Sequence, residues 1–239
     1  MLIACQNVSF GYDGHSVVSG LSFTIHKGDY LCVIGGNGSG KTTLVKGLLR
    51  LLRPIQGSIV FSDDLKKSAT GYLSQQSAAK KDFPAGVAEI VLSGMTGGMG
   101  LRPFYSRKEK AAARENMRRL EIADLSNRCF RELSGGQQRR VLIARALSAL
   151  GVSGDRERTT LLVLDEPDSG LDAEVTVELY RLLSKLNEET GTTIITVTHD
   201  LQAAEKYAGH VLRLEDGGYF FGSAAEYSAR RETKNGGIH

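Results

Sequence analysis

The stretch Gly35-Gly36-Asn37-Gly38-Ser39-Gly40-Lys41-Thr42 decides the fold, because it fits G-x-x-x-x-G-K-[ST], the loop that wraps nucleotide phosphates. A triphosphate is a row of anionic oxygens. Glycines let successive backbone N–H groups turn toward them, since a residue without Cβ adopts the needed dihedrals and approaches closely. A helix starting at the end of the loop adds its N-terminal partial positive charge. Lys41 then reaches the β- and γ-phosphates, and the Thr42 hydroxyl, followed by Thr43, ligates Mg²⁺.

The flanks agree with this reading. Tyr30-Leu31-Cys32-Val33-Ile34 is a short apolar run that predicts a buried strand before the loop. Leu44, Val45, Leu48, Leu49 and Leu52 recur at helical spacing after it. Working outward, Leu21, Phe23 and Ile25 alternate with Ser22 and Thr24 as in a half-buried strand, so residues 1–34 predict strands. Tyr12 falls beside the Gly11 and Asp13-Gly14 turn signals, where it serves either as an adenine platform or as a packing tyrosine at a strand end. Ser58 to Phe61 and Thr70 to Ser74 predict further strands, the second ending at Gln75. Residues from about 76 to 130 read as a helical insertion. It contains Val87, Ile90 and Val91 on one helix, a flexible Gly94–Gly100 connection, and a charged helix from Ser106 to Leu120. Strands return at Leu161–Leu164 and Thr193–Thr198, separated by an amphipathic helix that stops at Gly191. Alternating strands and helices imply a mainly parallel sheet covered on both faces, an α/β fold. Val211–Leu214 and Tyr219–Phe221 predict a hairpin. The polar stretch from about Ser228 predicts a frayed tail.

Bulk properties narrow the function. The 239 residues suit one large domain, or one domain with an inserted subdomain. A net charge of +3 is too small to argue for nucleic acid or an acidic membrane surface as partner. Cys5, Cys32 and Cys129 are scattered and odd in number, which predicts reduced thiols in a cytosolic protein and no zinc site. The N-terminus lacks a secretory pattern, and no apolar run approaches the roughly 18 residues a spanning helix needs. Work at a membrane would therefore go through a partner.

Other chemistry is placed at strand ends. Leu161–Leu164 runs into Asp165-Glu166. In a parallel sheet the C-terminal strand ends face the ligand crevice. Asp165 can hold Mg²⁺ there, and Glu166 is placed to act as general base toward water. His199 follows the next apolar strand and emerges on the same edge, either structural or in contact with the γ-phosphate or the water. Gln75 also ends a strand and could reach Mg²⁺ or water. Ser134-Gly135-Gly136-Gln137 precedes a long helix from Gln138 to about Leu150, with Ser134 as N-cap, which makes a second anion-binding helix start. A chain that already carries one phosphate loop would offer this second site to a nucleotide held by another copy.

With Leu133-Ser134-Gly135-Gly136-Gln137 the sequence resembles the ATP-binding-cassette (ABC) ATPases. Tyr12, the loop 35–42, Gln75, that signature, Asp165-Glu166, Ser169–Asp172 and His199 stand in that family's order, over nearly the whole chain to about residue 223. The resemblance implies an ABC ATPase domain over 1–223, with a core of 1–75 and 131–223, an N-terminal antiparallel β part, a helical subdomain of about 76–130, and a polar tail at 224–239. It implies a head-to-tail homodimer with ATP and Mg²⁺ between the phosphate loop of one copy and Ser134, Gly135, Gly136 and Gln137 of the other. Glu166 is then the catalytic base, Asp172 the interface aspartate, His199 the γ-phosphate contact and Tyr12 the adenine platform. The segment from Gln76 to Gly94 resembles the branch that imports zinc, manganese or chelated iron. That branch works with a membrane permease, which would hold this chain on the inner face of the cell membrane, and indirectly with an extracellular binding protein. Met95 stands where the branch often has arginine, Asp168 replaces a usual threonine, and the loop Gly151–Arg158 is longer than usual. The rival expectations are a soluble ABC ATPase, such as one for cofactor assembly, and a regulatory module that binds ATP without turnover.

Overall fold

Side chains alternate between two faces along every central strand, and each face has its own core. The computed structural model describes residues 1–67, 70–75, 84–100, 102–151, 159–215 and 217–235. Within β3 (Tyr30–Gly35), Tyr30, Cys32 and Ile34 enter one apolar cluster, while Leu31 and Val33 enter the other. β6 (Leu161–Asp165) and β7 (Thr193–Val197) divide in the same way, with Leu162, Leu164 and Ile194 on the first side and Leu161, Val163, Ile195 and Val197 on the second. Strands buried on both faces read as unbroken apolar runs, which is why these segments carry no polar alternation.

With β5 (Thr70–Leu73), β8 (His210–Glu215) and β9 (Gly218–Ser223) the sheet runs β5-β6-β7-β3-β8-β9. All its pairs are parallel except the β8–β9 hairpin. A second, antiparallel sheet runs β2-β1-β4, from β1 (Ile3–Tyr12), β2 (His15–Ile25) and β4 (Gln56–Phe61). It covers the second face together with α1 (Lys41–Leu48), through Phe10, Phe23, Leu44 and Val45. A short helix α2 (Asp63–Lys67) follows β4. The other face receives α3 (Val87–Ser93) and α4 (Arg107–Arg119), with Val87, Ile90, Val91 and Met117 in the core. It also receives α5 (Gly135–Ser148) and α6 (Ala173–Thr190), the latter stopping at Gly191 with φ 64°. The mixed α/β architecture follows the expectation from sequence.

Three local expectations are corrected. The Gly94–Gly100 connection is a fixed turn: Met95 is buried, a short 3₁₀ turn spans Thr96–Gly98, and Arg102 donates to the carbonyls of Gly98 and Met99. The C-terminal stretch forms α8 (Ala224–Asn235) instead of fraying from Ser228. Its Tyr227 is buried against Phe220 and accepts the Arg213 guanidinium on its hydroxyl at 3.0 Å. Arg231 adds an ion pair to Glu205 at 2.8 Å and Arg230 lies over the Phe220 ring, so a few specific contacts dock an otherwise polar helix, and composition averages such residues away. The helix after Ser134 begins at Gly135, three residues earlier than its apolar periodicity shows. The stretch 76–83 and most of the loop 151–158 lie outside the described residues. Among the described residues no helix is long and apolar enough to cross a membrane.

Candidate nucleotide-hydrolysis site

The glycine loop leaves β3 and enters α1 through Gly40, whose φ is 92°. A Cβ at Gly40 would stand 2.2 Å from Val18 Cγ2, and one at Gly35 would stand 2.5 Å from Ser39 Oγ and 2.9 Å from the Leu214 carbonyl. Gly40 therefore meets both a backbone and a packing demand, and Gly35 a packing demand. Lys41 is buried and donates to the carbonyls of Gly35 and Gly36 at 3.0 and 2.8 Å. Its ammonium bridges the loop's own acceptors at the place where phosphate oxygens would compete for it. Burial lowers the Lys41 pKa, against the opposing pull of Glu166 and Asp165. Thr42 is exposed in the first turn of α1, and Thr43 is buried.

Opposite the loop, Asp165 ends β6 and is buried, and its Oδ1 has no hydrogen-bond partner. Burial first and Glu166 second push its pKa up, while Lys41 and Lys46 hold it down. A buried carboxylate oxygen without a donor fits a divalent cation, which would remove both the missing contact and the desolvation cost. Glu166 sits at φ 50°, a left-handed conformation rare for a residue with Cβ, and its N–H donates to the Val197 carbonyl at 3.0 Å. The carboxylate is thereby shared: Gln75 Nε2 donates to Oε2 at 2.6 Å, and His199 Nε2 lies 3.0 Å from Oε1. Gln75 and His199, just past the ends of β5 and β7, thus meet on the carboxylate of Glu166, just past the end of β6.

A cleft of about 510 Å³ opens beside this group, lined by Gly35, Gly36, Asn37 and Ser39, by His199 and Leu201, and by Arg213, Leu214 and Glu215. Neither Ser134, Gly135, Gly136 and Gln137 nor Lys41, Thr42, Gln75, Asp165 and Glu166 are among its walls. Ser134 caps α5 through Gln137 N–H at 3.3 Å, and Gln137 Oε1 accepts the Ser134 N–H at 3.1 Å. Close beside them lies the start of α6, where a Cβ on Gly136 would stand 2.6 Å from Val175 Cγ1. Asp172 caps α6 by accepting the Val175 N–H at 2.9 Å. Tyr12 is exposed, with Lys46 5.6 Å from its ring centroid.

One residue escaped the reading from sequence. Arg139 on α5 is buried and donates to the carbonyls of Glu166 and Ser169 at 2.9 and 3.5 Å, which ties the signature helix to the carboxylate turn. Nothing in Gln137-Gln138-Arg139-Arg140 separates it from its neighbour Arg140, so no sequence signal could have found it.

Taken together, the loop, the buried aspartate and the glutamate held between Gln75 and His199 define a P-loop nucleotide hydrolase. Comparison with known proteins gives the family. Residues 18–169 match the ABC transporter family model. The zinc uptake system ATP-binding protein ZurA of Listeria innocua is 40% identical over 235 residues, spanning 95% of this chain and 87% of that protein. A transporter assigned to the metal-chelate ABC type, in an inward-facing conformation, matches with a TM-score of 0.80 and 30% identity over 94% of this chain and 84% of its own. A dimeric bacterial ABC transporter cassette matches with a TM-score of 0.72 and 26% identity over 93% and 99%. The chain belongs to the ABC transporter family. It is an ATP-binding subunit whose ATPase activity is coupled to transport, and such subunits dimerise and pair with membrane permeases.

Proposed function

We propose that the chain energises import of a metal ion, zinc or manganese, or of an iron chelate. It would act on the inner face of the membrane through a permease that is itself served by an extracellular binding protein. The cargo rests on likeness to the zinc uptake protein and the metal-chelate transporter, since selectivity would lie in the permease. Hydrolysis rests on one observation: Glu166 is held by Gln75 and His199 beside the phosphate loop.

In this reading Glu166 takes the proton of an attacking water, and Gln75 and His199 keep its carboxylate aimed. Lys41 exchanges the Gly35 and Gly36 carbonyls for β- and γ-phosphate oxygens. Asp165, Thr42 and Gln75 would hold Mg²⁺, whose charge offsets that of the phosphates. Tyr12 would support the adenine. By the family resemblance, Ser134, Gly136, Gln137 and Asp172 of a second copy would meet the nucleotide, and closing and opening of that dimer would drive the permease. The core would be 1–75 and 131–223, and the helical subdomain about 76–130 would meet the permease.

Glu166→Gln keeps size and hydrogen-bonding capacity but removes the base. A loss of 10²–10⁴-fold in kcat is expected, with an ATP-bound dimer accumulating in size-exclusion chromatography. Turnover at the wild-type rate would refute the role. Capture of the tagged chain from mild-detergent extracts should bring down a polytopic membrane protein, and purely soluble partners would refute transport.

A further inference from the structure

The site's histidine is braced from behind by a residue that the hydrolysis scheme does not use. Asp168 Oδ2 accepts the hydroxyl proton of Thr198 at 2.7 Å. The same hydroxyl oxygen accepts the Asp200 N–H at 2.9 Å. Asp200 Oδ1 accepts the N–H groups of Gln202 and Ala203 at 2.9 and 3.0 Å, capping α7 (Leu201–Tyr207). His199 is therefore bracketed: Thr198 before it is held by the Asp168 carboxylate and, through its own N–H, by the Val33 carbonyl at 3.1 Å, and the Asp200 N–H after it is held by the Thr198 hydroxyl. Thr198 has no solvent exposure, so water does not replace a lost partner there. His199 itself has a half-exposed side chain and reaches Glu166 across 3.0 Å. Nothing in that single contact fixes its backbone.

Asp168 is itself held in place. Arg139 grips the carbonyls of Glu166 and Ser169, on either side of it in the chain, and its charge is near enough to act on the Asp168 carboxylate. The turn carrying Asp168 is thus anchored to α5, whose first turn is the signature. We propose that Asp168 is a positioning residue for hydrolysis: through Thr198 it sets the backbone that aims His199 at Glu166 and links that aim to the signature helix. The proposal rests on the hydrolytic reading of Glu166 for its kinetic consequence but not for its structural one. Displacement of a catalytic group by about 1 Å costs on the order of 10²-fold in rate, so a partial loss of aim should cost at least about tenfold.

The test uses the purified full chain. Asp168→Ala and Thr198→Val should each lower kcat at least about tenfold, with KM for ATP within about twofold of wild type. The double variant should be no worse than the poorer single one, because both remove the same brace. Thr198→Ser, which keeps the hydroxyl, should restore the rate. Independently of turnover, ¹⁵N-histidine spectra, with His199 located by His199→Ala among the five histidines, should show its ring signals displaced alike in Asp168→Ala and Thr198→Val and unmoved in Thr198→Ser. Should Asp168→Ala not fold, the Thr198→Val and Thr198→Ser pair reads the same hydrogen bond. Unmoved His199 signals, or kcat and KM deteriorating together with the melting temperature, would overturn the proposal. Wild-type turnover by Glu166→Gln would overturn the hydrolytic reading alone, and the spectra would still decide for or against Asp168.

Discussion

Replacing Gly40 by alanine puts two separable strains on the phosphate loop. The backbone there has φ 92°, and an L-residue in left-handed territory costs about 1–2 kcal/mol. The new methyl would also stand 2.2 Å from Val18 Cγ2 and 3.1 Å from Val17 Cγ1. Val18 is buried, so it cannot swing into solvent, and forcing a methyl into a packed site costs about 1–3 kcal/mol more. Gly38 is the matching control, with φ 79° and nothing within 4 Å of an added Cβ, so that Gly38→Ala carries the backbone cost alone. The difference between the two variants is then about 1–3 kcal/mol. At about 2–4 °C per kcal/mol for a chain of this size, Gly40→Ala should melt about 2–12 °C below Gly38→Ala. Relief of the overlap needs a shift of about 1 Å in the loop that carries the phosphate-binding N–H groups, so affinity for a fluorescent ATP analogue should fall at least about tenfold, or about 1.4 kcal/mol. Thermal melts and equilibrium titration of the two variants side by side measure both. A Gly40→Ala protein that melts no lower than Gly38→Ala and binds the ATP analogue no worse than wild type would refute the packing argument.

Two further outcomes are expected. The Arg102 guanidinium, with the Ser106 N–H and hydroxyl, holds the Glu109 carboxyl down from 4.5 to about 2. A depressed acid stabilises the fold above its unfolded pKa and loses that contribution as pH falls toward 2; wild type should therefore exceed Glu109→Gln in urea stability at pH 7 by a margin that shrinks from pH 5 to pH 2, and a constant margin would contradict the pairing. Burial pushes the Cys5 and Cys32 thiols up to about 12 while Cys129 is partly exposed, so a thiol reagent at pH 8 should modify one cysteine quickly in the native protein and three in denaturant; two or more fast native thiols would count against these buried positions.

Much of this molecule is legible in order along the chain because its chemistry is local. The phosphate loop needs consecutive N–H groups, so Gly35 to Thr42 carry the requirement within one short window. The strands β3, β6 and β7 are legible for a related reason: burial on both faces writes an unbroken apolar run. The docking of α8 is not legible, because it depends on Tyr227 meeting Phe220 and Arg213 on the β8–β9 hairpin, and a polar composition hides that. The fixed Gly94–Gly100 turn escapes for the same reason, since its order comes from Arg102, which caps carbonyls that glycine content alone suggests are loose.

Sequence by itself therefore determined the α/β class, the phosphate loop and the identity of Gln75, Glu166 and His199 as strand-end residues, because each is a short-range pattern of residue type and period. Only the tertiary structure decided that these three share one carboxylate, that Arg139 rather than Arg140 clamps the Glu166 turn, and that Asp168 holds Thr198. Those contacts join positions roughly 30 to 90 apart in the chain, and a pairing between distant residues is set by the order in which parallel strands lie side by side, which no local spacing encodes.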